Sequence, residues 1–172
     1  MQSVIQKFRE RGHLVPSSRF LVRKLIQTLD YTQSLTVVQL GFGTGVVTRA
    51  ILNNLSACSR LSVIELDPAC QKYCPQDSRL DYITGSAVTP AYYPPDLNAV
   101  VSTLPLASLP AGVTRAVLDT LAHVMPPKSR FTQFQYSLIT RKAVEQALGP
   151  VHQTAFEWRN LPPAFIYTII RP

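Results

Sequence analysis

Charged side chains are scarce in this chain. Asp, Glu, Lys and Arg together make up 16% of it, against 46% hydrophobic residues. That balance excludes intrinsic disorder, and 172 residues give enough apolar content for the core of one domain. No apolar run reaches the roughly 20 residues of a membrane-spanning helix. The charges at Lys7, Arg9, Glu10 and Arg11 are not followed by the apolar stretch of a secretory signal, so a cytoplasmic location is expected. Cysteine is limited to Cys58, Cys70 and Cys74, an odd number that argues against a disulfide framework. Cys70 and Cys74 have no second pair and no nearby histidine, so no metal site is expected. His13, His123 and His152 suggest no Ser–His–Asp or Cys–His arrangement and are given no catalytic role. Acidic residues are also few: 10, against 17 Lys and Arg, for a net charge of +7. The excess is local. Lys7, Arg9, Arg11, Arg19, Arg23 and Lys24 crowd the first stretch, opposed only by Glu10. Such a cluster favours an anionic partner.

What is present is an alternation of strands and helices. Val4, Ile5 and Phe8 share a face of a short first helix that Gly12 ends. Pro16, Ser17 and Ser18 form a second helix start with a serine N-cap, and Leu21, Val22, Leu25, Ile26 and Leu29 make its apolar stripe. Residues 36–40 read as a buried strand, followed by a glycine turn and a helix over 46–55. Residues 61–66 are a second strand, and Pro68 opens a short helix. A weak third strand covers 80–83 and a fourth 98–104. A helix follows over 111–124, then a fifth strand at 131–136 and a helix at 140–148 stopped by Gly149 and Pro150. The chain closes on strands 151–158 and 165–170 with no helix between them. The expected fold is α/β: a Rossmann-like, mostly parallel seven-stranded sheet with helices on both faces and a C-terminal antiparallel hairpin. The expected organisation is one domain over 1–172, with 1–30 as N-terminal helices. Ligands belong at the carboxyl ends of the strands, near the switch in strand order.

The most informative segment is Gly41-Phe42-Gly43-Thr44-Gly45, placed between a strand and a helix. Its G-x-G-x-G spacing differs from the G-x-G-x-x-G of pyrophosphate-binding turns, whose third glycine would fall at Val46. The spacing suits a ligand without phosphate, such as S-adenosylmethionine with its methionine part against the turn. Glu65 ends the second strand 20 residues after Gly45. A carboxylate there can accept both ribose hydroxyls of an adenosyl group. Asp67, before Pro68, reads as a helix N-cap.

Several segments resemble the bacterial phospholipid N-methyltransferases, relatives of the ribosomal RNA adenine dimethylases. They are residues 16–21, 43–48, 63–65, 100–106 with Ser108-Leu109-Pro110, Gln133-Phe134-Gln135-Tyr136-Ser137, and 160–167 with its Asn-Leu-Pro-Pro-Ala run. The resemblance implies methylation of the primary amine of phosphatidylethanolamine and its methylated derivatives, with S-adenosylmethionine as cofactor. It also implies peripheral contact with the inner membrane face through the N-terminal helices, which agrees with a basic amphipathic helix on anionic lipid. Cofactor contacts are expected from Gln39, Gly41, Gly43, Gly45, Glu65, Leu66, Ser86 and Ala87. Methyl transfer is an in-line displacement that asks the protein to align a neutral amine and exclude water. Ser102, Thr103 and Leu104, in a loop shaped by Pro105, and the Tyr136 hydroxyl are the candidates for that task. Tyr92 and Tyr93 belong to a packed loop or a lipid entrance.

Three positions depart from the family pattern. Gln39 stands where the family has an acidic residue, Ser86 replaces the aspartate of Gly-Asp-Ala, and Thr103 replaces the glycine of Ser-Gly-Leu-Pro. A hydrogen bond to a charged group contributes about 1.5–3 kcal/mol, so losing two such acids is expected to weaken cofactor binding by an order of magnitude or more. Two alternatives stay open. One is an RNA adenine methyltransferase, which the charge permits; but Thr103-Leu104-Pro105-Leu106 lacks the asparagine and aromatic that grip a flipped base in the Asn-Leu-Pro-Tyr of those enzymes. The other is a cofactor-binding protein with a different small-molecule acceptor or little activity.

Overall fold

The computed structural model describes residues 17–172. The first expected helix and His13 lie outside them. Ser18 caps helix α1 (Arg19–Ile26) by accepting the Leu21 N–H at 3.2 Å. Leu21, Val22 and Leu25 form its buried stripe, and Leu29 is buried in the turn beyond.

Strands β1 (Thr36–Leu40), β2 (Arg60–Glu65), β3 (Leu80–Thr84), β4 (Ala99–Ser102), β5 (Arg130–Gln135), β6 (Val151–Glu157) and β7 (Ala164–Ile170) form one sheet in the order β3-β2-β1-β4-β5-β7-β6. Only β7 runs against its neighbours, pairing antiparallel with β5 and β6. Strands β1 and β4 are buried on both faces, in keeping with the paired valines at the centre of each. β3 lies at the edge and is only half-buried, in keeping with its weak pattern.

Helices α2 (Val46–Leu52), α3 (Ala111–Val124) and α4 (Arg141–Leu148) complete the layers. α1 and α2 pack against Val37, Leu61, Val63 and Val101 on one face. α3 and α4 pack against Val38, Leu40, Val100 and Phe131 on the other. α2 stops at Leu52, short of 55, where Asn53 caps it and the Asn54 side chain donates to the Ala50 carbonyl at 2.8 Å. β4 ends at Ser102, short of 104, because Thr103 already turns over the end of β1. Among the described residues no helix is long and apolar enough to cross a membrane. Strand order reverses between β1 and β4, so the exits of both strands face one crevice.

Candidate active site

The turn after β1 takes positive φ at Gly41 (84°), Gly43 (57°) and Gly45 (76°). Two of these glycines are needed for different reasons. A Cβ on Gly41 would lie 2.8 Å from the Thr103 hydroxyl, so this glycine admits the loop leaving β4. A Cβ on Gly43 would meet nothing within 4 Å, so its face of the turn opens outward. The open side of the crevice is therefore above Gly43.

Glu65 fastens this turn to β2. Its Oε2 accepts the Phe42 N–H at 2.8 Å and the Gly43 N–H at 3.5 Å, and its Oε1 accepts the Asp67 N–H at 2.9 Å. A carboxylate offers about four acceptor positions, so one remains, and the long Gly43 contact can yield a second. Asp67 caps the 3-10 turn Pro68–Tyr73 by accepting the Ala69 N–H at 2.9 Å, as its place before proline predicts. Leu66, Ser86 and Ala87 are half-buried beside this end of the sheet. The Ser86 hydroxyl makes only a long 3.5 Å contact with the Val88 N–H. Tyr93 is buried and donates to the Ala87 carbonyl at 2.7 Å, while the Tyr92 ring lies against Gly85. These tyrosines pack the loop.

Gln39 has a different place from the one expected. It is fully buried on the α2 side, its Nε2 donating to the Gly41 carbonyl at 2.7 Å and its Oε1 accepting the Thr48 hydroxyl at 2.9 Å. It braces the turn from behind, and both ends of its amide are used. An ionised acid could not donate to Gly41.

The loop after β4 is braced in the same way. The Thr103 hydroxyl lies 3.0 Å from the carbonyls of both Leu40 and Gly41. Ser102 is buried and its hydroxyl accepts the Leu104 N–H at 3.4 Å. Both hydroxyls thus make contacts that hold the backbone of this loop. The Leu104 carbonyl accepts two side-chain amides, Gln133 Nε2 at 2.9 Å and Gln135 Nε2 at 3.0 Å. Gln133 Nε2 also donates to the Phe134 carbonyl at 2.8 Å, which leaves its Oε1 buried with no partner. Gln135 Oε1, unlike that of Gln133, is not one of the buried oxygens left without a partner.

These glutamines and Asn160 were missed in reading the sequence for function. The signal was there: two glutamines two apart share one face of a strand. Asn160 is buried, accepts the Ser18 N–H at 2.8 Å and donates to the Pro162 carbonyl at 2.7 Å. Tyr136 is partly exposed beside it, edge-on to Phe134 at 5.8 Å, and burial raises its phenol pKa.

No protein-family model matches the chain. It is 27% identical over 168 residues to the ornithine lipid N-methyltransferase of Singulisphaera acidiphila, covering 90% of this chain and 85% of that one. Its fold is similar to that of the N-methyltransferase NodS from Bradyrhizobium japonicum, solved with S-adenosyl-L-homocysteine, at a TM-score of 0.72, 13% identity and 90% and 87% coverage. A precorrin-6y C5,15-methyltransferase from Geobacter metallireducens matches at 0.70, with 14% identity over 92% of each chain. Strand order, glycine turn and acidic strand end thus define the class: this is the Rossmann-like fold of the class I S-adenosylmethionine-dependent methyltransferases.

Proposed function

We propose that this protein is an S-adenosylmethionine-dependent N-methyltransferase whose acceptor is the primary amine of a lipid headgroup, with phosphatidylethanolamine the first candidate. The likeness to a lipid N-methyltransferase over 90% of the chain carries this reading. The residues present fit the cofactor. Gly43 leaves the turn open to close approach, and Glu65 keeps acceptor capacity for ribose hydroxyls. Leu66, Ser86 and Ala87 would flank the adenine. When bound, S-adenosylmethionine supplies a methyl group on a sulfonium, open to in-line displacement.

The chain's own part is to bring in an amine, strip it of water and aim it. The unpartnered oxygen of Gln133 stands beside the β4 exit, on the strand that pairs with β4, with the Gln135 amide two residues further along. It is a neutral acceptor. It orients amine N–H groups without favouring the ammonium form as a carboxylate would, and the poorly solvated setting disfavours the charge further. The Leu104 carbonyl holds both amide nitrogens, so both oxygens point away from it. Tyr136 stands at the outer edge of this group. An RNA base is less well served: Leu106, where the RNA enzymes carry an aromatic, is buried in the core and offers no stacking face.

The test uses detergent micelles containing phosphatidylethanolamine or ornithine lipid, with protein and S-adenosylmethionine, read by mass spectrometry. Headgroups are expected to gain mass in methylene steps, and Gly43→Asp is expected to abolish the gain by placing a carboxylate in the open face of the turn. Cofactor binding with no gain on either lipid would overturn the lipid reading.

A further inference from the structure

The sheet end that carries the site also carries an apolar surface that the described residues leave uncovered. Trp158 and Leu161, on the turn joining β6 to β7, are 70% and 80% exposed, and Ile139, after β5, is 79% exposed. Phe156 is half-exposed at the base of the turn, its ring 4.9 Å from Phe165. Tall apolar side chains clustered this way on a protruding turn mark a binding surface.

The register places these residues. Gln135 pairs with Phe165 and Glu157 with Ala164, so the hairpin turn and the β5 exit lie at one end of the sheet. Ser102 pairs with Gln133, which puts the β4 loop at that end too. Asn160 ties the turn to the start of α1 through Ser18. The turn is therefore a fixed rim beside the mouth of the site.

Charge selects the occupant. Among the described residues Glu157 is the acid at this rim, and it is fully buried and consumed by Arg159 at 2.8 Å and Lys24 at 3.1 Å. Arg19 and Arg23, one turn apart on α1, remain exposed, as does Lys142 at the start of α4. Arg159 lies 4.0 Å from the Phe20 ring centre and 5.9 Å from that of Trp158, so cation and aromatics share one surface. A tryptophan-bearing apolar tip ringed by arginine and lysine is the composition that settles at a bilayer interface with anionic headgroups. A second copy of the chain is a poorer fit. The β6 edge that another strand would pair with is polar, with His152, Gln153 and Thr154 exposed, and the apolar residues stand on the turn instead.

We propose that the β6–β7 turn, flanked by the β5 exit, docks this protein on an anionic lipid bilayer and holds the mouth of the site at headgroup level. The choice of occupant rests on the lipid reading above, and the experiment separates the two. Trp158 is the single tryptophan of the chain, so fluorescence excited selectively at tryptophan reports on this turn alone. The probe is vesicles of phosphatidylcholine with phosphatidylglycerol, which carry no primary amine and so present no acceptor. On the full chain, Trp158 emission is expected to shift to the blue and to be quenched by acyl-brominated lipid. The double variant Ile139→Asp, Leu161→Asp is expected to lower partitioning about tenfold or more, since two exposed apolar groups lose their burial in lipid. Its melting temperature should match the parent, which shows that it folds. Vesicle binding without a change in Trp158 emission, or no binding at all, would overturn the docking surface. Methylation in micelles would still support the lipid reading in that case, and docking without methylation of any acceptor would leave this surface standing while sinking that reading.

Discussion

At Gln133 the two ends of one amide are treated oppositely. The nitrogen meets two carbonyls and the oxygen, fully buried, meets none. A buried acceptor left alone costs about 1–3 kcal/mol, and such a cost persists where a ligand supplies the partner. The neighbouring Gln135 donates its amide to the same Leu104 carbonyl. Replacing Gln135 by Leu is expected to lower kcat about tenfold, the worth of one hydrogen bond of about 1.4 kcal/mol at the transition state. Cofactor affinity, measured by calorimetry, should not move, because the residue lies across the crevice from the glycine turn. A merely structural role would lower stability and leave kcat per folded molecule unchanged. The glycines and Glu65 were legible in the sequence, since spacing and place at a strand end express their geometry. The bracing contacts of Gln39, Ser102 and Thr103 were not. Whether a polar side chain faces a ligand or braces a loop depends on which groups lie behind it, and those come from other elements: the Leu40 carbonyl of β1 for Thr103, the Thr48 hydroxyl of helix α2 for Gln39.

At the scale of elements, the hairpin turn is held by one buried carboxylate. The hydrogen bonds from Arg159, side chain first and then backbone, with Lys24 beyond them, hold the Glu157 carboxyl down at about 2. The folded value lies below the ordinary 4.5, so the stabilisation is complete above about pH 4.5. It is lost as pH falls from there toward about 2. Asp77, held down at about 2 by Arg79, titrates in the same window. The comparison with Glu157→Gln isolates the hairpin: the variant should melt at a lower temperature than the parent at pH 7, and the gap should close as pH drops through that window. Equal melting at pH 7 would show that the ion pairs do not support the turn. The element order and the final antiparallel hairpin could be read from periodicity. The apolar tip could not, because Trp158 and Leu161 look in sequence like ordinary core residues; their exposure follows from a turn that projects past β5.

For the molecule as a whole, the site is shared between four elements tied by a few hydrogen bonds at that end: the turn after β1, the end of β2, the loop after β4 and the exit of β5. A ligand bound across them adds its binding free energy to folding. At a hundred times its dissociation constant this is about 2.7 kcal/mol, or a rise of roughly 5–10 °C in Tm for a chain of this size. S-adenosylmethionine is therefore expected to raise Tm by that amount, and Gly43→Asp to remove the rise while remaining folded. The departures from the family pattern set the concentration required. Gln39 braces the turn from behind, so its lack of charge does not subtract a contact made on the open side. Ser86 alone stands where an acid is missing beside the crevice. Restoring that acid, Ser86→Asp, is expected to tighten cofactor binding about tenfold, the lower end of the 1.5–3 kcal/mol that a charged hydrogen bond supplies. Gln39→Glu is expected to weaken it, because a carboxylate cannot donate to the Gly41 carbonyl and would face that oxygen at close range. Titrating Tm against cofactor concentration for the parent and these two variants reads both effects. Opposite shifts would establish that the turn is held by an amide in this chain, whereas tighter binding by Gln39→Glu would show that the position faces the ligand after all.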